Sequence, residues 1–307
     1  MRVLITGVNG FSGRYLADYA LQSGETVYGL SRHALVSPSI IGIACDLMSP
    51  EAVSQAVQAS QPDYVFHLAA QTPANARATT EHDWLQANPI GTLNLLEAIR
   101  IHCPQAHVLI MSSSAIYGHV PVDELPIRED MPIRPTTMYG VSKAVQELLA
   151  IRYLSECGIH IVRARPFNLI GPGERPGMVT STLAAQIVRI AAGHAQPIIR
   201  IRHSATQRDF TDIRDAVRAY WSIIEKGRSG DVYNVCSGIA TPIGSLVDQM
   251  MTIAHISARI EETAPQPTAG DILAQTGSYE KLYRTTGWQP QIDLRRSLTD
   301  LLGSYTM

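Results

Sequence analysis

The chain has 307 residues, of which 45% are hydrophobic and 17% charged, and its formal net charge is -2. That is an ordinary globular composition with room for one large domain or two coupled ones. The near-neutral balance excludes the basic footprint of a nucleic-acid binder or of a protein drawn to an anionic membrane. Four widely spaced cysteines (Cys45, Cys103, Cys157, Cys236) form no C-x-x-C pair, so neither a disulfide framework nor a metal site is expected. Met1-Arg2 runs straight into a strand pattern, and no apolar run is long enough to span a bilayer. The expectation is a cytoplasmic enzyme.

Val3-Leu4-Ile5-Thr6 is a short apolar run that predicts a strand buried on both faces. It enters Gly7-Val8-Asn9-Gly10-Phe11-Ser12-Gly13 and then a helical pattern through Tyr15, Leu16, Tyr19 and Ala20. Strand, glycine-rich turn and helix start, in that order, build a phosphate site. Gly7 permits the tight turn, Gly10 lets backbone approach a pyrophosphate, and Gly13 lets helix and strand pack closely. The helix's free amides and positive dipole end face the anion. The spacing is G-x-x-G-x-x-G, and its position as first turn of an α/β chain favours a dinucleotide over a plain loop.

Thr26 to Leu30 predicts the second strand, ending at Ser31-Arg32. This point, roughly 20 residues past the turn, is where a dinucleotide presents its adenosine ribose. An acid there would suit NAD; Ser31 and Arg32 suit the 2′-phosphate of NADP, the alternative being a solvated loop arginine. Ile41 to Cys45 is a third strand, and Asp46 after it would either meet adenine or belong to the turn. Ser49-Pro50 opens a helix. Tyr64 to Leu68 is the fourth strand; small residues after it let a cofactor lie against backbone, and His67 reads as a satisfied core histidine. Trp84 to His102 predicts one helix, with Asn88 inside it, and Val108 to Met111 a fifth strand ending in Ser112-Ser113-Ser114. The proline- and charge-rich stretch from Gly118 to Pro135 should cover a site mouth rather than join the core. Tyr139 to Glu156 is a helix and Ile159 to Arg165 a sixth strand.

This alternation predicts an α/β fold, a Rossmann-type doubly wound parallel sheet with a smaller discontinuous C-terminal substrate lobe. Residues 1–165 plus about 207–238 would bind NADP, and about 166–206 plus 239–307 the substrate. Further elements are expected near Ser181–Ala192, Val232–Val235 and Leu294–Leu302.

Tyr139 and Lys143 stand at i and i+4 on one helix face, about 5–6 Å apart at Cβ. A fixed ammonium, with an oxidised nicotinamide, would bring the phenol from its ordinary value near 10 toward neutrality. Ser113, at the end of the fifth strand, would hydrogen-bond the reacting oxygen.

With these motifs the chain resembles the extended short-chain dehydrogenase/reductases over nearly its whole length. Within them it is similar to the GDP-sugar branch, above all the GDP-4-keto-6-deoxy-mannose 4-reductases. The closer match rests on Arg165 to Gly173, Met178-Val179-Thr180, Arg208-Asp209-Phe210-Thr211-Asp212, Val232 to Gly238 and Thr286-Gly287-Trp288-Gln289-Pro290. The resemblance implies that Asn168 and the backbone near Val179 contact a nucleotide sugar and that Arg208 pairs with its pyrophosphate, the alternative for Arg208 being a salt bridge to Asp212 or Asp215. Thr72, Ser113, Ser114 and Asp271 complete the candidate substrate set. The candidate cofactor set is Gly7, Asn9, Gly10, Phe11, Ser12, Gly13, Ser31, Arg32, Asp46, Leu47, Leu68, Ala69, Ala70, Asn88, Tyr139, Lys143 and Pro166, holding NADPH without excluding NADH. The resemblance also implies a homodimer through the helices around Trp84–His102 and Tyr139–Glu156.

Two departures stand out. Sugar-nucleotide 4,6-dehydratases carry Thr-x-Glu where this chain has Ser113-Ser114-Ala115, so dehydration loses its acid–base carboxylate. Arg202-His203 replaces the branch's usual Gly-Asn, and Pro267 to Asp271 lacks the expected arginine. The expected activity is NADPH-dependent reduction of a 4-keto-6-deoxy nucleotide sugar, yielding GDP-rhamnose or GDP-6-deoxytalose. The alternatives are a 4-epimerase with tightly bound NAD and a non-catalytic NADP-binding protein.

Overall fold

Arg2–Thr6 forms strand β1 and passes through the glycine turn into α1, Phe11–Gln22, in a computed structural model that describes residues 1–33, 37–73, 80–264 and 272–305. Then come β2 (Thr26–Ser31), β3 (Ile41–Ala44), α2 (Pro50–Ser60) and β4 (Tyr64–His67). Ser49 accepts the Ala52 amide at the head of α2, with Pro50 in the first turn, as the sequence predicts. After α3 (Glu81–Leu85), α4 (Gly91–His102) and β5 (His107–Met111) come the long α5 (Met138–Cys157) and β6 (Ile161–Pro166).

The remainder is β7 (Asn168–Ile170), α6 (Val179–Ala191), β8 (Ile198–Ile201), β9 (Gln207–Asp212), α7 (Ile213–Lys226) and β10 (Val232–Val235). It closes with β11 (Ala240–Pro242), α8 (Ile243–Ile253), β12 (Arg259–Glu262), β13 (Ala274–Gln275), α9 (Glu280–Thr286) and α10 (Leu294–Gly303).

Seven parallel strands form the main sheet, in the order β10-β6-β5-β4-β1-β2-β3. The chain winds outward in one direction through β2 and β3 and in the other through β4, β5 and β6. Ligands of such sheets bind where that order reverses, outside the carboxyl ends of β1 and β4. Leu16, Ala20, Ile213, Tyr220 and Ile224 of α1 and α7 pack on one face, and Val53, Val57, Leu95, Ile99 and Tyr153 of α2, α4 and α5 on the other. Burial on both faces explains why the strands read as continuous apolar runs. A second core, built from Leu183, Ile187, Leu246, Met250, Leu298 and Leu301, joins α6, α8 and α10.

Three local expectations change. First, β9 hydrogen-bonds to β7, β11 and β13 in a separate small sheet, although its place in the chain groups it with the NADP-binding part; α7 and β10, which follow it, do pack with the main sheet. Its partners lie far away in sequence, so no local pattern marks it. Second, Trp84 to His102 is not one regular helix. Thr80 and Asp83 form a capping box for α3, and Gln86–Ile90 widens into a π-turn before α4. Pro89 lies in that turn, where its missing N–H and its ring break the regular ladder. Third, the 118–135 stretch does join a core: Ile127 is 1% exposed, packs with Tyr117, Phe167 and Cys236, and exchanges backbone bonds with Thr276 and Ser278.

His67 is the satisfied core histidine expected. Its Nδ1 lies 2.8 Å from Thr6 Oγ1 and its Nε2 2.8 Å from Thr92 Oγ1. The Thr92 hydroxyl donates to the Asn88 carbonyl, so it accepts from Nε2–H, and Thr6, which accepts the Ala69 amide, donates to Nδ1. One neutral tautomer pairs both ring nitrogens with the two threonines. Burial, with a smaller contribution from the Lys143 charge, lowers its pKa to about 3. The unfolded histidine titrates near 6.5, so it binds a proton that the folded one refuses, and stability falls as pH drops from about 6.5 toward 3. Urea unfolding should show wild type losing about 2–3 kcal/mol more than His67→Gln between pH 6.5 and 4.5. Equal losses in the two proteins would refute this.

Candidate active site

The turn between β1 and α1 is shaped by what cannot be there. Gly7 adopts φ 71°, and a Cβ on it would lie 2.9 Å from the Ala69 backbone. A Cβ on Gly13 would lie 2.2 Å from the Gly7 carbonyl oxygen. Turn and helix therefore meet as bare backbone. Gly10 donates to the Gly7 carbonyl at 2.8 Å and precedes α1 with no side chain capping it. The amides of Phe11, Ser12 and Gly13 make up the first turn, an arrangement that suits a pyrophosphate.

Neighbouring strand ends complete this cradle. Gly7 donates to the Leu30 carbonyl at 3.2 Å, and Asn9 Nδ2 donates to Ser31 Oγ at 3.0 Å, placing the end of β2 beside the turn. Arg32 follows, exposed. Asp46 accepts the Met48 amide at 3.0 Å. The Leu47 carbonyl accepts from Asn94 at 2.8 Å. Past β4, Leu68, Ala69 and Ala70 run beside Gly7, with the Ala69 amide held by Thr6 at 3.1 Å. Asn88 is 1% exposed; it accepts the Gln71 amide at 2.7 Å and donates to Ser142 Oγ at 2.9 Å, tying the end of β4 to α5.

Thr137 caps α5, accepting the Gly140 amide at 3.1 Å, and a Cβ on Gly140 would lie 2.7 Å from the Ala115 carbonyl oxygen. The first turn of α5 is thus seated on the end of β5. The Ser113 hydroxyl lies close enough to Tyr139 to bear on its pKa. Lys143 Nζ stands 6.0 Å from the Tyr139 ring centre and donates to the Met111 carbonyl at 2.8 Å. Serine, tyrosine and lysine come together as the spacing predicts. Ser114, the neighbouring candidate, starts a short 3-10 turn, and its carbonyl accepts from Gln275 at 3.4 Å.

The electrostatics differ from the simple expectation. Burial pushes the Tyr139 phenol above its ordinary value, and the neighbouring Ser113 hydroxyl pulls against it. Lys143, 2% exposed, is drawn down to about 7 by burial, against the upward pull of the Glu147 carboxylate. The cation meant to tune the tyrosine therefore depends on a group one turn further along α5.

On the substrate side, Pro166 ends β6, and Asn168 Nδ2 donates to the Asp209 carbonyl at 3.0 Å. Val179 opens α6, partly exposed. Arg208 Nη1 donates to the Gln207 carbonyl at 2.8 Å. Asp212 pairs with Arg214 and Asp215 with Arg218. Tyr15 and Arg14 of α1 donate to the carbonyls of Pro172 (2.9 Å) and Gly173 (3.0 Å), clasping the loop before α6 to the nucleotide-side helix. Thr72 follows the end of β4. Asp271 and the stretch 267–271 lie outside the described residues.

Two neighbours of this centre escaped sequence reading. Trp84 packs edge-on against Tyr139, ring centres 5.8 Å apart at 65°. Glu147, two turns past Tyr139, is gripped by Arg165 at 2.8 and 2.7 Å. The i, i+4, i+8 spacing of Tyr139, Lys143 and Glu147 was the available signal for the second.

Comparison with known proteins gives a consistent picture. Residues 3–236 match the NAD dependent epimerase/dehydratase family. The chain is 33% identical to a GDP-6-deoxy-D-mannose reductase from Pseudomonas aeruginosa, over 99% of this chain and 97% of that one. A solved structure of RMD from Pseudomonas aeruginosa complexed with NADPH superimposes with a TM-score of 0.88, at 31% identity and 99% coverage of both chains. The UDP-glucose 4-epimerase of Thermus thermophilus, solved with NAD, gives a TM-score of 0.88 at 26% identity, covering 100% and 99% of the two chains.

Proposed function

The chain belongs to the NAD dependent epimerase/dehydratase family, and on that premise we propose that it is an NADPH-dependent 4-ketoreductase of a 4-keto-6-deoxy nucleotide sugar. The substrate in this reading is GDP-4-keto-6-deoxy-mannose, and the product GDP-rhamnose or its C4 epimer GDP-6-deoxytalose. The observation that carries the reading is that Ser113, Tyr139 and Lys143 meet, Lys143 Nζ standing 6.0 Å from the Tyr139 ring centre, at a strand end that holds Ala115 in place of a carboxylate. The reductase named among its relatives, and the NADPH bound to the Pseudomonas RMD, support the choice of substrate and cofactor.

Bound NADPH supplies the hydride for C4. The protein's part is to hold the carbonyl and deliver the proton. Ser113 donates a hydrogen bond to the C4 oxygen and polarises it. Tyr139 transfers its phenolic proton to that oxygen as the alcohol forms. Lys143 keeps the phenolate that remains from being costly and holds the nicotinamide ribose. The glycine turn with Asn9 holds the pyrophosphate of the cofactor, Arg32 the 2′-phosphate, and Asp46, Leu47, Leu68, Ala69 and Ala70 the adenosine side. Arg208 offers a planar fork to the sugar nucleotide's phosphates, with Thr72, Asn168 and Val179 around it.

A cytoplasmic homodimer completes the reading. No helix among the described residues is long and apolar enough to cross a membrane. On α4 and α5, Ile101, Leu148 and Ile151 are exposed at 54%, 62% and 42%; a second copy would cover them.

The function is tested by incubating the protein with GDP-4-keto-6-deoxy-mannose and NADPH and identifying the product by NMR. One NADPH should be consumed per sugar reduced; an epimerase would consume none. Tyr139→Phe should lower kcat by about 10²–10⁴-fold while cofactor affinity, read by fluorescence titration, stays near wild type. A near-normal rate in that variant would remove Tyr139 from the role.

Arg32→Ala should erode the preference for NADPH over NADH by roughly ten- to a hundredfold in kcat/KM. If both cofactors serve wild type and variant equally, Arg32 does not read the phosphate.

Given GDP-mannose and NADP⁺ alone, the protein should form no keto sugar detectable by mass. Elimination needs a carboxylate fixed at the reacting carbons, and Glu129 is held elsewhere, accepting the Asn234 amide of β10 at 2.8 Å. Formation of the keto sugar at a catalytic rate would place the protein among the dehydratases.

A further inference from the structure

Tyr139, Lys143 and Glu147 form a ladder on one face of α5, and each rung leans on the next. Lys143 and Glu147 are 2% and 1% exposed, so neither charge is stabilised by solvent. Among the described residues the ammonium donates to the neutral Met111 carbonyl alone, at 2.8 Å. His67, which faces it from β4, is neutral and offers no counter-charge. Glu147 is the acid that acts on it.

Glu147 is itself held from β6. Arg165 places Nε and Nη2 on its two oxygens at 2.8 and 2.7 Å, and Arg163 Nη1 approaches at 3.3 Å. Burial alone would raise the Glu147 carboxyl, but the Arg165 fork and the Arg163 charge outweigh it and keep the group below the usual carboxylate range. Arg165 is fixed in turn by the Tyr117 hydroxyl at 2.8 Å and the Glu129 carbonyl at 3.3 Å. A bidentate fork in a low-dielectric interior leaves the carboxylate little freedom.

We propose that Glu147 is a positioning residue for the reaction: clamped by Arg165, it keeps the ammonium of Lys143 charged beside Tyr139. This rests on the catalytic roles proposed above for Tyr139 and Lys143, and it extends the working set from three side chains to a relay that begins on β6.

The chain contains three lysines, Lys143, Lys226 and Lys281. Lysine labelled with ¹³C at Cε thus gives three signals by NMR, and Lys143 can be titrated directly in the full-length protein without substrate. Glu147→Gln should lower the Lys143 midpoint by about one pH unit or more, and Glu147→Asp, which keeps the charge but withdraws it by one methylene, should lower it less. Unmoved Lys226 and Lys281 signals verify the fold, and if Glu147→Gln does not fold, Glu147→Asp decides the matter alone. In the reductase assay, losing the first proton of the Tyr139–Lys143 pair ends activity, so the alkaline limb of kcat/KM should move the same way as the midpoint. A midpoint that stays in place or rises in the folded variants overturns the proposal. A wild-type protein with no ketoreductase turnover refutes the function instead, and leaves the lysine titration to be read on its own.

Discussion

An ammonium buried to 2% exposure is the constraint around which the catalytic half of this molecule is arranged. Lys143 cannot be solvated where it stands, so its charge must be held by fixed groups or given up. The fold answers from several directions. The end of β5 turns the Met111 carbonyl toward the ammonium, α5 carries Glu147 one turn away, and β6 pins that carboxylate through Arg165. On the β4 side the histidine that faces the lysine is kept neutral by its burial, its two ring nitrogens met by threonine hydroxyls, which spares the site a second buried cation.

The remaining contacts of the site do similar work by geometry. Gly140 lets α5 sit on the Ala115 carbonyl, Thr137 fixes where the helix begins, and Asn88 ties α5 to the segment leaving β4. These place Tyr139 within reach of Ser113. The cofactor cradle uses the opposite device: it works by the absence of side chains at Gly7 and Gly13.

What was legible in the sequence is what depends on near neighbours. The run from Val3 to Gly13 specifies strand, turn and helix within a dozen residues, and Tyr139 with Lys143 needs only the period of a helix to be read as a pair. The seven-stranded sheet followed from apolar runs alternating with helical ones. What was missed depends on pairing across the chain. β9 takes its partners from residues 168–170, 240–242 and 274–275, and nothing in Gln207–Asp212 announces them. The grip of Arg165 on Glu147 spans β6 and α5, and Trp84 reaches Tyr139 from a separate helix. The π-turn at Gln86–Ile90 is a different kind of miss, since Pro89 was visible and its consequence for the ladder was not drawn. The 118–135 stretch misled by composition, because its prolines and charges flank the apolar Ile127 that enters the core.

The clasp between α1 and the loop before α6 has an evolutionary side. Tyr15 and Arg14 take hold of main-chain carbonyls, at Pro172 and Gly173, and main-chain carbonyls are present whatever side chains the loop carries. The side chains of Arg175, Pro176 and Met178 can therefore be exchanged while the segment stays anchored to the nucleotide side. Selection for a new sugar can act on the loop's side chains one at a time, with the cofactor half of the protein left as it is.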